Sequence, residues 1–508
     1  MKKGARGLAI AARVVASYFG SMTILRNIGI ALLVIILIAA IGIAVLLRGS
    51  KAELTVDEVS GTDPTLVEPD EEWFPTIRVA EPIGWQEGET PPAVEGLEVT
   101  RFAEGLDHPR IMYRLPNGDI LVTLTNSPPR DVGGIEGFVM KLLMGEAGAG
   151  VPSPNKLVLL RDTNGDGKAD VRRVLREEGL DSPSGIAYRD GTLYIANHNA
   201  LLAFDYELGS PKLTGTPRKL MDLPGGGNHW MRNIILSPDG ENIYVAVGSA
   251  SNIGENGMEA EEGRAMIWEY NLEDGSSRPY ATGLRNANGL AWNPLSGELW
   301  TTVNERDMLG GDLVPDYLTN VPIGANYGWP WVYYKNTVDT RVDAPMPNFI
   351  TEYARYPEFA MGPHVAALGL AFTDEGHRMG EKFARGAFVA RHGSWNRKPP
   401  SGYDVVFVRF DERGNPLGKP VPVLGSFLDG NGETRGRPTW VEWSDDGGLL
   451  VSDDTAGIIW HVIAPGAAPA PAVERVRGKS LKPQTELKGD PREAFTDEFA
   501  REFNPLGN

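Results

Sequence analysis

Short apolar stretches separated by glycine-containing turns recur along the middle of the chain, between residues 100 and 463. In each repeat a turn leads into a short apolar strand, and a second turn leads into another apolar or aromatic strand. Dipeptides such as Asn117-Gly118 and Asp190-Gly191 tolerate the positive φ angles of tight hairpins. Six hairpins of this kind are recognisable, in segments 105–126, 179–197, 232–249, 283–305, 368–392 and 436–462.

Evenly spaced pairs of short strands are typical of repeat folds. The pattern predicts an all-β protein with a six-bladed β-propeller over residues 96–464, and the alternative is a pair of β-sandwiches. Few helices are expected there, because no long stretch has a period of 3.6 residues. In a propeller the loops of every blade meet at the mouth of a central channel, so residues distant in sequence would assemble the site.

A different pattern occupies the N-terminus, where residues 28–47 form twenty consecutive residues without a charge. As a helix this run would span about 30 Å, the thickness of a bilayer core. Five basic residues precede it, and the first acidic residue is Glu53. We therefore expect a basic cytoplasmic segment (1–27) and a transmembrane anchor (28–47) in the cytoplasmic membrane, with the remainder periplasmic or extracellular. The lack of a small-x-small site after the run favours an anchor over a cleaved signal.

Composition adds two flanking segments and excludes several protein classes. Residues 48–95 are acidic and contain proline, which predicts a tether, and residues 465–508 form a Pro/Ala-rich and then charged tail. The chain has 49 basic and 67 acidic residues, a net charge of −18, and no cysteine. This balance argues against nucleic-acid binding. Without cysteine there is no disulfide scaffold, iron–sulfur cluster or thiol nucleophile.

One histidine stands beside a run of three glycines that precedes the third hairpin. Residues 225–227 are Gly-Gly-Gly, and His229 follows them. Glycines let the backbone approach a ligand closely, and histidine is the usual general base. His229 is therefore the candidate base, and the alternative is a histidine hydrogen-bonded inside a turn.

Arginines recur at the blade junctions of this acidic chain. Arginine binds planar anions in a bidentate manner, so converging arginines predict a carboxylate- or phosphate-bearing ligand. The alternative is local ion pairs of little energetic weight. The arginines concerned are Arg285, Arg391, Arg397, Arg435 and Arg437.

Two oxygen-rich loops are candidate calcium sites. The first follows the fourth hairpin and includes Glu305, Asp307 and Asp312, although it could equally be a solvated acidic loop. The second carries oxygens at alternate positions, like the start of an EF-hand loop, but Arg173 stands where the bidentate glutamate belongs. It predicts either a weak structural calcium site or an Asp/Gly turn, and its residues are Asp162, Asn164, Asp166 and Asp170.

Taken together, these motifs resemble the quinoprotein glucose/sorbosone dehydrogenase family, above all its membrane-anchored L-sorbosone dehydrogenase type. The resemblance covers residues 95–463. Each motif is modest alone, but their order and joint presence are specific. The matching segments are 229–240, 283–291, 326–330, 391–397, 435–438 and 452–457.

The resemblance implies that pyrroloquinoline quinone (PQQ) and Ca²⁺ bind at the channel mouth. His229 matches the general base, and Arg285 with Asn286 matches residues that hold the quinone oxygens. Arg435 and Arg437 match cationic residues that contact the PQQ carboxylates.

A further basic contact is assigned to Arg391, with Arg397 as the competitor. Backbone carbonyls around Arg306 and Asp307 match the loop that binds the PQQ-associated calcium. Glu305 and Asp312 are candidate side-chain ligands there, because this loop is more acidic than the family pattern.

The implied activity is oxidation of a sugar, a sugar-derived aldehyde or a related alcohol, with electrons passing to an external quinone or cytochrome. Two alternatives stay open at this stage: a calcium-dependent lactonase-type hydrolase and a non-catalytic binding propeller. Arg285, Arg435 and Arg437 favour the dehydrogenase, because a lactonase does not need to hold a tricarboxylate.

Overall fold

The computed structural model describes residues 26–27, 29–38, 49–73, 75–129 and 151–473. Residues 29–38 are helical and carry exposed apolar side chains. Within the described ranges no helix is both long and apolar enough to cross a membrane. The predicted N-terminal transmembrane helix is therefore unsupported. Half of its residues lie outside the described ranges, as do segment 1–25 and residues 474–508 of the predicted tail.

Two strands precede the propeller blades, and three blades follow them along the chain. The first two strands are β1 (Ser60–Gly61) and β2 (Glu98–Ala103). Blade one contains β3 (Pro109–Arg114), β4 (Ile120–Leu124), β5 (Lys156–Arg161) and β6 (Val171–Arg176). Blade two contains β7 (Ile186–Arg189), β8 (Thr192–Asn197), β9 (Ala200–Asp205) and β10 (Arg218–Asp222). Blade three contains β11 (Ile234–Leu236), β12 (Asn242–Val247), β13 (Met266–Asn271) and β14 (Ser277–Thr282).

The remaining blades include one insertion. Blade four contains β15 (Ala287–Trp292), β16 (Leu299–Val303), β17 (Pro315–Asn320) and β20 (Phe359–Pro363). The insertion lies between β17 and β20 and consists of a small hairpin, β18 (Val332–Tyr333) and β19 (Thr337–Val338), and helix α1 (Ile350–Tyr353). Blade five contains β21 (Ala367–Phe372), β22 (Gly386–Arg391), β23 (Asp404–Phe410) and β24 (Pro416–Leu424). Blade six contains β25 (Pro438–Trp443), β26 (Leu449–Asp453) and β27 (Ile458–Ile463). Short 3₁₀ helices span Met258–Glu261 and Glu381–Phe383.

The described strands confirm the six-bladed propeller. Every blade is an antiparallel sheet. The first five segments expected from the sequence form the two innermost strands of their blades, and the sixth, 436–462, contains β25 and β26 and extends into β27. Asp190 and Gly191, in one of the expected turns, have φ angles of 46° and 83°, as a tight hairpin requires. Strand β2 pairs with β27 as the fourth strand of blade six, so the two ends of the propeller are joined in one sheet.

The segment expected to be a tether lies along the propeller. Strand β1 pairs with β20 of blade four. The backbone N–H of Glu53 donates to Asp312 Oδ2 at 2.6 Å, and the N–H of Arg78 donates to the carbonyl of Trp395 at 2.8 Å. Val59 and Thr76 are buried. Trp85 Nε1 donates to Asp453 Oδ2 of blade six at 3.1 Å. These contacts hold the described segments 49–73 and 75–95 against blades four, five and six.

Antiparallel pairing determines where the candidate residues lie. The start of each innermost strand is next to the end of the second strand of the same blade, and all six such junctions lie at one mouth of the channel. A cavity of about 370 Å³ lies deeper, toward the other ends of the inner strands. Its lining is mostly apolar, with Asp374 and Glu442 as the acidic exceptions. The candidate chemistry therefore belongs to the opposite mouth.

Candidate active site

His229 is held in a single tautomer by Ser249. His229 Nδ1 lies 2.9 Å from the Ser249 carbonyl and 3.0 Å from Ser249 Oγ. The hydroxyl proton of Ser249 goes to the carbonyl of Ser251 at 2.7 Å, so both Ser249 oxygens accept from the histidine. Nδ1 therefore carries the proton, and Nε2 is the basic nitrogen of the ring.

Buried charges fix the glycine-rich loop that carries His229. Arg232 is fully buried and donates to the carbonyls of Pro224 at 2.7 Å and His229 at 2.9 Å. Burial, followed by the nearby Arg264, lowers the pKa of Arg232 to about 9. On the facing loop, the Glu261 carboxylate accepts the N–H of Ala250 at 2.7 Å. Both loops that set the position of the imidazole are thus held by buried side chains.

Arg285 lies beside the histidine and is connected to it through Ser249. The N–H of Ser249 donates to the carbonyl of Arg285 at 2.7 Å. The guanidinium donates to Asp307 Oδ2 at 2.9 Å, to Asn252 Oδ1 at 2.9 Å and to the carbonyl of Glu305. These partners hold the charge of Arg285 in one orientation.

Asn286 is the second residue of the pair expected to hold the quinone oxygens. Its Nδ2 donates to Asn304 Oδ1 at 3.3 Å. A Cβ added at Gly248 would collide with Asn286 Oδ1 and would lie 2.6 Å from the Cβ of His229. Only a glycine at position 248 lets Asn286 and His229 come this close, so the structure brings together His229, Arg285 and Asn286.

Asp307 is the counter-ion of this group. Its Oδ1 accepts from Asn396 at 2.6 Å and lies 3.5 Å from His364 Nδ1. Burial raises the pKa of Asp307, but Arg285 and His364 outweigh it and bring the pKa to about 2. Asp307 is therefore ionised at neutral pH and holds the positive charge of Arg285 at the mouth.

A second polar group at this mouth was not fully expected from the sequence. His392 Nε2 lies 3.0 Å from both carboxylate oxygens of Asp454, which also pairs with Arg110. Burial lowers the pKa of His392, while the adjacent Asp454 acts in the opposite direction. Arg437, which was predicted, donates to the carbonyls of His392 and Gly393 at 3.1 and 2.8 Å.

Arg110 and Asp454 are the residues of this group that sequence reasoning missed. Arg110 is the second residue of the innermost strand of blade one, and Asp454 follows the second strand of blade six. Both residues lie at blade junctions, which is the criterion that selected Arg285, so the same criterion would have selected them. The guanidinium of Arg110 lies 5.5 Å from the ring centroid of Trp230, next to His229.

The structure does not bring the other three predicted arginines into this group. Arg391 Nε donates to Asp404 Oδ1 at 2.7 Å, in a bidentate pair. Arg397 is buried and donates to Asp312 Oδ1 at 3.0 Å and to the carbonyl of Leu54 at 2.8 Å. Arg435 is half-buried, 3.3 Å from Glu89 Oε1. Arg391 and Arg397 therefore support the blade and the N-terminal segment, and their predicted cofactor role stays a prediction.

The predicted calcium ligands after β16 point in different directions. Glu305 Oε2 accepts from Arg306 Nε at 3.0 Å, and Arg306 also lies 3.3 Å from Asp339. The Asp312 carboxylate is held by Arg397 and by backbone N–H groups of the N-terminal segment. Within the described part of the chain, no group of three or more His, Asp or Glu side chains could hold a metal ion. These carboxylates thus do not fit a shared calcium site.

The loop 162–170 hydrogen-bonds mainly within itself. Asp162 Oδ2 accepts the N–H of Gly167 at 2.8 Å, and Asp166 Oδ1 accepts that of Lys168 at 2.9 Å. Asn164 Oδ1 accepts from Asp166, and Asp170 accepts from Thr163. This is the geometry of an Asp/Gly turn, and a calcium ion there stays a prediction.

One observation indicates that this mouth of the channel would fit PQQ, which is a flat tricarboxylate. Nε of Arg110 is buried and has no hydrogen-bond partner among the described residues. Although Arg110 pairs with Asp454 through Nη1, its unsatisfied Nε donor beside Arg437 is a place for an acceptor such as a cofactor carboxylate. Arg110, Arg437, Arg285 and Asn286 would hold the cofactor, with His229 at its edge.

Comparisons with known proteins show the family to which the chain belongs. The profile of the TrAA12-like family matches residues 139–322 and 348–465. An uncharacterised protein of Borreliella burgdorferi is 27% identical over 297 residues, which cover 56% of this chain and 76% of that protein. The PQQ-dependent pyranose dehydrogenase of Coprinopsis cinerea is 26% identical over 323 residues, covering 51% of this chain and 43% of the fungal protein.

Solved structures show the same fold. The Trichoderma reesei family AA12 enzyme, in an iodide structure, has a TM-score of 0.59 at 20% identity and covers 77% of this chain and 99% of its own. The holo form of the PQQ domain of the Coprinopsis cinerea pyranose dehydrogenase has a TM-score of 0.58 at 20% identity, covering 76% and 100%. Since the family profile matches more than half of the sequence, the resemblance seen in the motifs is confirmed: the chain belongs to the TrAA12-like family of PQQ-dependent sugar dehydrogenases.

Proposed function

We propose that this protein oxidises a sugar, a sugar-derived aldehyde or a related alcohol with PQQ, and that His229 is its general base. The observation that carries the proposal is the Ser249 contact, because two acceptors at Nδ1 leave Nε2 as the proton-accepting nitrogen. Family membership favours this activity over the lactonase and binding-propeller alternatives.

The residues at the mouth have separable tasks. His229 would take the proton from the substrate hydroxyl as the bond to the departing hydride weakens. Arg285, oriented by Asp307, places a fixed positive charge where negative charge develops. When bound, PQQ supplies the two-electron acceptor that the side chains of this chain lack. Arg110 and Arg437 would hold its carboxylates. Sorbosone, aldoses and simple aldehydes are the substrates to screen.

The test is reconstitution of the purified full chain with PQQ and Ca²⁺, followed by substrate-dependent dye reduction. His229→Ala should retain PQQ but lose about 10²- to 10⁴-fold in turnover, the usual contribution of acid–base catalysis. His377→Ala, in a buried histidine near the opposite end of blade five, is the matched control and should keep its turnover. Unchanged turnover in His229→Ala would remove the histidine from this role, and failure to bind micromolar PQQ would refute the dehydrogenase.

We further propose that residues 28–47 anchor the protein in the cytoplasmic membrane, with the propeller outside and an external quinone or cytochrome as electron acceptor. The length of the uncharged run and the five preceding basic residues support this. Protease added to intact spheroplasts should digest the propeller. Protection of the propeller until lysis would contradict the orientation.

A further inference from the structure

The loop that follows β16 contains two consecutive carbonyl groups bound by one arginine. Arg341 Nη1 donates to the carbonyl of Asp307 at 3.0 Å and to that of Met308 at 2.9 Å. The family resemblance assigned carbonyls in this loop to a calcium ion. Calcium binds such oxygens at about 2.3–2.6 Å from its centre. A guanidinium nitrogen that contacts both oxygens therefore occupies the position that a bridging ion would need.

Arg341 is fixed in this position by Asp339. Its Nε and Nη2 donate to the two carboxylate oxygens of Asp339 at 2.9 and 2.8 Å. Asp339 is buried, and Arg306 approaches it to 3.3 Å from the other side. A bidentate pair of this kind has one preferred geometry. The guanidinium is consequently a fixed part of the loop, and only 15% of the Arg341 side chain is exposed.

The position of the loop matters for the mouth of the channel. Asp307 contributes its carbonyl to Arg341 and its carboxylate to Arg285. Its N–H donates to Asn252 Oδ1 at 2.9 Å, and Asn252 also contacts Arg285. A shift of the Asp307 backbone would therefore move the counter-ion that orients Arg285.

We propose that Arg341 is the resident cation of this loop. Its guanidinium supplies the positive charge at the two carbonyls in place of Ca²⁺, beside the neutral donors Asn252 Nδ2 and the N–H of Glu72. It keeps Asp307 in register with Arg285 without metal, and it must be displaced before Ca²⁺ can bind that carbonyl pair. Arg341 acts here as a positioning residue. Any calcium that accompanies PQQ uses other ligands while Arg341 is in place.

The test uses the full chain without PQQ, so its result is independent of the proposed dehydrogenase activity. Thermal unfolding midpoints are compared in EDTA and in millimolar CaCl₂ for the wild type, Arg341→Ala and Arg385→Ala. Arg385 is a half-exposed arginine 3.9 Å from Glu412, far from this loop, and provides the matched control. Arg341→Ala removes the cationic donor from both carbonyls and leaves each with one neutral donor, Asn252 Nδ2 at 3.1 Å on Asp307 and the N–H of Glu72 at 3.2 Å on Met308. A carbonyl oxygen can still coordinate a cation through its second lone pair, so these oxygens and the Asp339 carboxylate form a set of ligands suited to Ca²⁺.

In EDTA the midpoint of Arg341→Ala should fall by roughly 5 °C, and CaCl₂ should restore at least half of that loss. The wild type and Arg385→Ala should share one smaller response to CaCl₂. Terbium luminescence sensitised by tryptophan should show an additional saturable site in Arg341→Ala, because Trp329 contacts the carbonyl of Asn252 beside the loop. Arg341→Gln replaces Arg341→Ala if the latter does not fold. An equal calcium response in wild type and variant, with no additional terbium site, would overturn the proposal.

Discussion

Replacing Asp307 by asparagine should disturb the predicted active site more sharply than any other isosteric change. The wild-type carboxylate accepts from Arg285 Nη2 at 2.9 Å and from Asn396 Nδ2 at 2.6 Å. Asparagine has the same shape but only one acceptor oxygen. Its amide must therefore present N–H groups to one of the two donors, and the charge of Arg285 loses its partner.

The structure sets the size of the effect. A pKa near 2, against an ordinary value of 3.8, corresponds to about 2 kcal/mol of stabilisation of the ionised form. Removing one member of a buried ion pair costs about 3–5 kcal/mol. We therefore expect Asp307→Asn to lose about 2–5 kcal/mol of unfolding free energy at pH 7. The folded-state pKa of Asp307 is depressed, so its contribution is present above about pH 4, and the difference should shrink as pH falls toward about 2.

Guanidinium unfolding of wild type and variant at neutral and acidic pH measures the stability, and titration with PQQ measures the affinity. Asp119→Asn is the matched control, because Asp119 is buried and pairs with Arg161 at 2.7 Å in a turn at the opposite end of blade one. It should lose similar stability and keep its PQQ affinity. A loss below about 1 kcal/mol at pH 7, or an unchanged PQQ affinity in Asp307→Asn, would refute the reasoning.

Two further predictions concern a close contact and a buried acid. Gly248→Ala should push Asn286 and His229 apart, which should lower the free energy of unfolding by about 1–3 kcal/mol and turnover by about tenfold or more. Gly425→Ala adds its Cβ in open space and should change neither quantity. Equal turnover in both variants would contradict the crowding argument. Burial raises the pKa of Asp316 to about 7, so the folded wild type should lose stability as pH rises from about 4 to 7. Thermal midpoints across that range should therefore decline less in Asp316→Asn, and parallel curves would refute this.

Local signals were enough to predict the inner half of each blade. Inner strands are apolar and end in turns such as Asp190-Gly191. Both features depend only on residues that are adjacent in the chain. Outer strands gave no such signal. Strand β6, for example, has three consecutive exposed residues, because the edge of a blade faces solvent on its outer side. Strand β2 could not be assigned to blade six, since its partner β27 is more than 350 residues away along the chain.

The site shows the same division at the level of single residues. His229 and Arg285 were selected by their position at blade junctions and Asn286 by the family resemblance, and the three residues lie close together in the structure. Position at a blade junction did not show which of the neighbours Arg391 and His392 faces the channel mouth. Successive side chains at a strand end face opposite ways, so only one of the two can do so. Arg391 turns to Asp404, while His392 turns to Asp454 at the mouth. A one-residue difference in register decides which of the two reaches the site.

The sequence alone determined the repeat, the acidic balance and the short motifs, because each depends on residues that are close together in the chain. Only the tertiary structure decided which charges meet. In the folded protein, Asp307 pairs with Arg285 and Asp312 pairs with Arg397, while Arg341 donates to the carbonyls of Asp307 and Met308. These partners are between 22 and 85 residues apart. Their energies depend on burial and on fixed hydrogen-bond geometry, and both exist only once the six blades have closed into a ring.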